Sequence, residues 1–425
     1  MKKIILNLIV LFLWGSFFSA EAKDSKKRLQ ENDTVNYITV SAKVVDKEST
    51  EPVVFATVFK TGTSVGTVTN SDGEFILKIP GKSTEGTISF NHLGYKNKEI
   101  LVKNLLSDNN KVELERHSIP IEEVVIKSLD AKELIETAVS KIKDNYRLKP
   151  EMQTGFYREI IKQNRHYVSI SEAVLDIYNS GYHDNFDFDR VRIYKGRKSK
   201  DVKKMDTVLV KFQGGPRTAM FVDLVKNPGV ILDPELFSYY KYTLEGVVSI
   251  NNKNNYIVKF AQRSNYDELL YEGTIYIDVE SYAITGVDFR IAEKSLDGAS
   301  RALVKKKPLT MKMDVVSGNY QVKFREIDDK WVLNMVRSEV VFKSKWDKKL
   351  FKSNITTMFE MAITDRDTEH LDKFPYKTSA KLTDVLADQV TAFEDNDFWG
   401  EYNTIKPDES IQEAIKKLNK KIKRQ

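Results

Sequence analysis

Glu272-Gly273-Thr274-Ile275-Tyr276-Ile277-Asp278, then Val279-Glu280-Ser281-Tyr282, then Ala283-Ile284-Thr285-Gly286-Val287-Asp288-Phe289: the fold of the larger part of the chain turns on how this stretch is read. Apolar residues alternate with polar ones in the first run, and period-two alternation marks a half-buried strand. The four residues after Asp278 read as a turn, and Ala283 onward returns as a second strand. Working outward, Tyr240 to Ile250 and Tyr256 to Gln262 flank a polar turn from Asn251 to Asn255. Downstream, Tyr320 to Ile327 and Trp331 to Lys343 pair across Asp328-Asp329-Lys330, and Asn354 to Ile363 supplies a last strand. These are sequential antiparallel hairpins, a meander.

Upstream, Phe156 to Ile161 and Tyr167 to Tyr178 form a hairpin turning at Gln163-Asn164. In its second strand the apolar phase shifts between Ile170 and Ala173, as at a bulge. Thr207 to Phe212 reads as a further strand before Gly214-Gly215-Pro216, and a short helix is expected from Glu235. Ahead of all this stands a helix. Asp130 is its N-cap, with Glu133 three residues on as in a capping box. Leu134, Ile135, Ala138 and Ile142 share one face, and the helix is expected to run to about Asn145, before Pro150.

The Gly-x-Ile-x-Ile-Asp, turn, Ala-Ile-x-x-Val-x-Phe segment resembles periplasmic lipoprotein-carrier proteins and related half-barrels. The resemblance implies a curved antiparallel sheet wrapped around a helix. It leaves two states open: a core filled by the helix from Ala131, or a cavity for an apolar ligand. The filled core is the expectation.

The N-terminal part is written differently. Ile38, Val40, Ala42 and Val44 alternate with polar residues, and short apolar runs follow at Val54 to Val58, Thr67 to Thr69, Phe75 to Ile79, Ile88 to Phe90, Ile100 to Val102 and Val112 to Leu114. Seven short strands with regular turns are the pattern of a β-sandwich. Val44-Val45-Asp46, Glu51-Pro52-Val53, Ala56-Thr57-Val58, Gly66-Thr67-Val68-Thr69-Asn70, Asp72-Gly73-Glu74-Phe75 and Leu93-Gly94-Tyr95 stand in the order of carboxypeptidase regulatory-like domains. The segment from Tyr37 to Ile126 resembles that family, and Ile121 to Ile126 looks like its closing segment. The resemblance implies a prealbumin-like sandwich that accompanies exported proteins. About 300 residues follow it, too few for the barrel of an outer-membrane transporter.

The chain is therefore expected to be mainly β with some α. An N-terminal seven-stranded β-sandwich is followed by a curved antiparallel β-meander, half-barrel-like, with flanking helices. The expected divisions are a signal peptide (1–22), a flexible lead-in (23–36), the sandwich (37–127), the helix and meander (128–370) and a C-terminal helical segment (371–425). Met1-Lys2-Lys3, the apolar run Ile4 to Phe18 and Ala20-Glu21-Ala22 follow the order of a secretory signal peptide, with cleavage expected after Ala22. Cysteine is absent, which excludes disulfides, thiolate metal sites and a lipid-modified cysteine. The expected location is the periplasm or the periphery of the outer membrane, without a lipoprotein anchor. The net charge of +6 falls to +5 without Lys2, Lys3 and Glu21. That balance does not point to nucleic acid. The expected partners are outer-membrane or other envelope proteins, lipid or polysaccharide.

No catalytic, cofactor or metal residues are assigned. Gly62-Thr63-Ser64-Val65-Gly66 has the G-x-S-x-G pattern of a hydrolase elbow, but a strand follows where that chemistry needs a helix. It reads as a hairpin loop. His92, His117, His166, His183 and His370 lack zinc-peptidase spacing. His183, Asp184, Asp187 and Asp189 read as a solvated loop rather than a calcium site. Lys195, Arg197, Lys198, Lys200, Lys203 and Lys204, with Lys305 to Lys307, read as solvated hairpin tips. Lys381 to Phe393 is partly helical by pattern, and the aromatics of Asp395 to Tyr402 either clamp the tail to the β-domain or sit in a surface loop. Ile411, Ala414, Ile415, Leu418 and Ile422 make one face of a basic amphipathic helix. That helix can lie on an anionic membrane, but docking on its own protein is the favoured expectation. The reading is a non-catalytic envelope protein with a binding or interaction domain. A carrier or sensor of lipid or another apolar ligand is the alternative, and an unrecognised hydrolase stands third.

Overall fold

Alternation in the first hundred residues yields two small sheets that face each other. β1 (Tyr37–Asp46), β4 (Glu74–Pro80) and β7 (Asn110–Leu114) make one, in the order β4-β1-β7. β2 (Thr57–Lys60), β3 (Gly66–Val68), β5 (Thr87–Asn91) and β6 (Lys98–Leu101) make the other, in the order β3-β2-β5-β6. Their inward residues, Val40, Val44, Val58, Phe75, Leu77, Ile88, Phe90 and Val112, form one buried core. The second strand starts at Thr57 rather than Val54, because Phe55 has φ +57° and leaves the strand region. This computed structural model describes residues 37–107, 109–117, 129–183, 188–200, 215–250, 252–263, 270–303, 311–347, 352–392 and 398–422. The expected signal peptide, the expected lead-in and the Ile121 to Ile126 segment lie outside these residues.

Asp130 caps helix α1 (Ala131–Ser140) by accepting the Lys132 amide at 2.8 Å. The expected single helix is in fact two. Lys141, with φ −90° and ψ 3°, ends α1, and a short α2 (Ile142–Asn145) follows. Tyr146 then turns inward, fully buried, and its hydroxyl donates to the Ile284 carbonyl.

The rest is one sheet of eleven strands. They are β8 (Glu151–Gln163), β9 (His166–Asn179), β10 (Arg190–Lys200), β11 (Tyr240–Ile250), β12 (Lys253–Gln262), β13 (Tyr271–Asp278), β14 (Ile284–Ile291), β15 (Met311–Ile327), β16 (Lys330–Trp346), β17 (Ser353–Asp367) and the two-residue β18 (Thr391–Ala392). The order is β11 through β17 in sequence, then β8-β9-β10-β18. All pairs are antiparallel except β10 with β18. Register shifts interrupt six of these pairings, including Leu244/Gly246, Lys323/Phe324 and Ile363/Asp365. Bulges of this kind bend a sheet.

Successive strand residues face opposite sides. On the inner side, Tyr157, Leu175, Ile177, Val258, Ile275, Phe324, Val336, Phe359 and Met361 share one cluster with Leu134, Ile135 and Ala138 of α1. Strands as distant in the sheet as β8 and β12 contribute to the cluster that holds this helix, and β11 packs on it directly, so the sheet curves around its filling. Ala219 and Met220 of α3 (Gly215–Phe221), with Leu224, Ile231, Leu232 and Phe237, complete that filling. Helix α4 (Leu296–Leu303) covers a second inner cluster around Met311, Met313 and Phe342.

The outer side is covered as well. Phe156, Val174, Met335 and Ala362 pack against Val68 of the sandwich and Trp399 and Ile405 of the tail. Helix α6 (Glu409–Ile422) lays Ile411, Ala414 and Leu418 on Ile160 and Ile170. This double cover explains the phase change in β9. Pairing runs without a break from Ile170 to Ala173 on β8, so no bulge lies there. Both faces are simply buried. The basic run also changes character: Lys195, Arg197, Lys198 and Lys200 lie in β10 rather than at a hairpin tip. Arg197 is buried under Trp399, with its guanidinium 4.8 Å from the ring centre. Its Nε donates to Glu172 at 2.9 Å. Glu172 also accepts from Arg158 at 2.7 Å, and Arg158 reaches Glu360 at 2.6 Å and the Ile405 carbonyl at 2.7 Å. Two cations and two anions thus close a balanced network beneath the tail, the arrangement that burial of charge demands. Burial alone would raise the Glu172 carboxyl; Arg158 and Arg197 outweigh it and hold it below the usual range. The tail between the sheet and α6 carries one helical turn, α5 (Leu386–Gln389), where a longer helical stretch was expected, because Val390 enters the core and the chain pairs with β10. Thr207 to Phe212, Lys203, Lys204 and Lys305 to Lys307 lie outside the described residues.

Candidate functional site

Residues on alternate positions of β13 to β16 point outward toward the sandwich, and a line of contacts joins the two. Lys323 Nζ donates to the Phe55 carbonyl at 3.1 Å, and Arg325 donates to the Ser64 carbonyl. Asn334 Nδ2 donates to Thr57 Oγ1 at 3.0 Å. Ser64 Oγ donates to Asp365 Oδ1 at 2.5 Å. The G-x-S-x-G serine therefore sits in the loop between β2 and β3, bonded to a carboxylate of β17 with no histidine between them. The tail adds to the seam through Asn403, which bonds the Lys78 amide and carbonyl at 2.7 and 2.9 Å.

Beside these contacts lies a cleft of about 380 Å³. Phe55 forms its sandwich wall, and Glu272, Asp288, Arg290, Asn319, Gln321 and Arg337 form its floor. Arg290 Nε donates to Glu272 at 2.8 Å. Asp288 accepts from Gln321 at 2.8 Å and from the Tyr276 hydroxyl at 3.2 Å. Burial pushes the Tyr276 hydroxyl well above the usual tyrosine range, with the Asp288 charge adding to it. The Arg337 guanidinium stands 5.0 Å from the centre of the Phe55 ring, a cation–π distance. Its Nε is buried without a partner. Gly273 belongs here because β13 and β14 approach closely: a Cβ would strike the Asp288 carbonyl oxygen. Phe55 itself holds a backbone conformation costly for a bulky residue, of order 1–3 kcal/mol. The cost is offset by the bond from its amide to Thr69 O at 3.2 Å and by the lysine on its own carbonyl.

The described lining of this cleft carries no serine, cysteine, histidine or lysine. Its two carboxylates are already tied to donors, and the arrangement offers mixed donors and acceptors around the rings of Phe55, Phe289 and Tyr320. The residues weighed in the sequence lie elsewhere. His92 is at the seam, with its Nδ1 3.0 Å from the Leu93 carbonyl; burial, then the Lys323 charge, pushes it down to about 3. His370 is exposed beside Asp367, and His117, His166 and His183 join no common site. Asp189 accepts from Ser180 and from Lys226 at 2.5 Å, as a staple within the fold. Asp184 and Asp187 lie outside the described residues. Among the described residues no group of three or more histidines or carboxylates is placed to hold a metal. The cleft residues themselves escape sequence reading, since each is an ordinary outward strand residue; alternation could have placed them on one face, but not under the sandwich.

The comparisons fit this division. The family model of the CarboxypepD_reg-like domain matches residues 40–126, so the sandwich carries the resemblance read from its motifs. A family of unknown function (DUF5686) matches residues 231–340. That span contains the entire sheet floor of the cleft. No curated protein matches the chain. Among solved structures, a domain provisionally assigned to outer membrane lipoprotein sorting from Vibrio parahaemolyticus is 11% identical. It covers 57% of this chain and 96% of its own, with a TM-score of 0.25. A DUF1329 family protein from Desulfovibrio piger is 12% identical over 57% of this chain and 95% of its own, with a TM-score of 0.23. Lipovitellin is 9% identical over 60% of this chain and 28% of its own, at 0.22. Scores this low carry no functional argument. Among the described residues no helix is long and apolar enough to cross a membrane.

Proposed function

We propose that this chain is a non-catalytic cell-envelope protein whose β-sandwich module and β-rich sheet together bind a polar partner, polysaccharide or an envelope protein, at their outer seam. One observation carries the reading: the two faces of the sheet differ. The inner face packs against the chain's own helices and loops, while the seam keeps an open cleft of about 380 Å³ in which Glu272, Asp288, Arg290, Asn319, Gln321 and Arg337 stand beside the rings of Phe55, Phe289 and Tyr320. A carrier of acyl chains needs an apolar void within the sheet, so the filled inner face favours the binding reading over the carrier. The tied carboxylates of Glu272 and Asp288 favour binding over hydrolysis. The regulatory-like domain supports a place in the envelope, in the periplasm or at the outer-membrane periphery.

The test is calorimetric titration of the full chain with soluble envelope polysaccharide fragments and with loop peptides of outer-membrane proteins. Saturable binding that Arg290→Ala and Gln321→Ala weaken is the expected result. Binding to neither class, or binding indifferent to both variants, overturns the proposal. Native mass spectrometry of the gently purified protein adds a second arm: a retained lipid would restore the carrier. Cleavage of an offered fragment, lost in Asp288→Asn, would overturn the non-catalytic part.

A further inference from the structure

Two cations, Lys323 and Arg325, stand two residues apart on the outer face of β15, under the sandwich, and among the described residues no carboxylate is close enough to pair with either. Arg325 is 3% exposed. One guanidinium nitrogen reaches the Ser64 carbonyl, the plane lies 5.3 Å from the Phe59 ring centre, and Nε is buried with no partner. Among the described residues partly buried Lys323 bonds the Phe55 carbonyl. Among the described residues neither forms an ion pair. The acids in reach are engaged elsewhere: Asp288 with Gln321 and Tyr276, Asp365 with Ser64. Contrast the network beneath the tail, where two cations meet two anions. A buried cation without an ion-pair partner is costly, and here two share one seam, with Asp288 acting on Lys323 and Asp365 and Glu151 on Arg325 only from beyond ion-pair distance.

Between them lies a small cavity of about 40 Å³, which both cations line with Thr57, Asn91 and His92. One water needs roughly 10–15 Å³ of such space, so the cavity accommodates about three heavy atoms. That is the size of a carboxylate group and is tight for a tetrahedral oxyanion. Asn91, 7% exposed, has its Oδ1 buried without a donor. Rotation of that amide presents its two N–H donors to the same space.

We infer that this cavity is a carboxylate site, in which a ligand's carboxylate lodges between Lys323 and Arg325 with the free Arg325 Nε–H donating to it. The inference goes beyond the cleft reading and does not depend on it. The charge balance agrees. Burial pushes the Lys323 ammonium down to about 8, partly countered by Asp288. Burial and the nearby Arg366 bring the Arg325 guanidinium down to about 9. His92, pushed down by burial and the Lys323 charge, contributes no positive charge of its own, so the attraction for an anion rests on Lys323 and Arg325. The carboxylate has two sources: a free small acid, or the acidic group of a larger ligand whose body extends into the cleft, which shares Asp288 with the cavity.

The experiment titrates the full chain at constant ionic strength with sodium acetate. A second arm uses a short peptide with a free C-terminal carboxylate, beside its amidated form. Saturable acetate binding is expected, weakened at least about tenfold in Lys323→Met and in Arg325→Met, as loss of one partner of a desolvated charge pair produces. Tighter binding of the free-acid peptide, with none of the amide, identifies the larger ligand; equal or weaker peptide binding identifies the small acid. Acetate binding that never saturates, or that both variants retain, overturns the inference. Should either variant fail to fold, a wild-type crystal soaked in bromide decides. An anomalous peak between Lys323 and Arg325 supports the site, and its absence refutes it.

Discussion

Glu159 faces the inner core, 3% exposed, with the Tyr157 hydroxyl donating to it at 3.3 Å. Burial pushes its carboxyl up to about 8 from an ordinary 4.5. The sign of its contribution follows. Between those values the unfolded chain has released a proton that the folded protein keeps, so stability falls as pH rises through the window. Glu159→Gln keeps an acceptor for Tyr157 and removes the titration. The variant should match the wild type near pH 4.5 and exceed it at pH 8, by up to a few kcal/mol at about 1.4 kcal/mol per unit. Guanidinium unfolding at both pH values measures this; a Gln variant no more stable at pH 8 would sink the argument. Nothing in the sequence marks Glu159 as different from Glu172, thirteen residues on. Glu159 meets the buried Tyr157 hydroxyl and the Ala387 amide, whereas Glu172 lies between the Arg158 and Arg197 guanidiniums, and which neighbours each strand face meets is decided by the tertiary fold. Arg158 meets Glu360 across 202 positions.

Among the elements, legibility followed how each strand is covered. β13 and β14 were readable because one face is apolar and the other polar. β10 was not, because its outer face carries Arg197 and Lys195 and is roofed by Trp399 and Phe398 through cation–π contacts. Cationic strand residues look solvated unless the roof is known. Helix α6 shows the opposite case. Its apolar stripe was plain, and the structure seats that stripe on Ile160 and Ile170, leaving Lys416, Lys417 and Lys420 exposed. Ile411→Ala and Leu418→Ala should therefore each destabilise the protein by roughly 2–4 kcal/mol, as other large-to-small core changes do. If the helix served a membrane and not its own sheet, urea midpoints of both variants would stay at the wild-type value.

Taken whole, residues from Tyr37 onward form one compact unit, and the sandwich is tied to the sheet by Ser64, Thr57, Lys323, Arg325 and Asn334. Ser64→Ala with Asn334→Ala should loosen this union without touching either core. Calorimetry is expected to show one unfolding transition for the wild type and two for the double variant; a single unshifted transition in both would show that these bonds do not couple the parts. The seam was not legible in advance, because its residues belong to ordinary turns and outward strand positions on both sides. The order of the sheet has a further consequence, for how the molecule is assembled. β17 lies between β16 and β8, so the last long strand to be synthesised occupies an interior position. Until it inserts, β16 and β8 are both long open edges, the kind that pair with stray chains. Closing contacts so distant in sequence is slow. The final zipping of β17 against β8 is the step at which a nascent molecule is most exposed to its neighbours, and the one where a chaperone that shields strand edges would act.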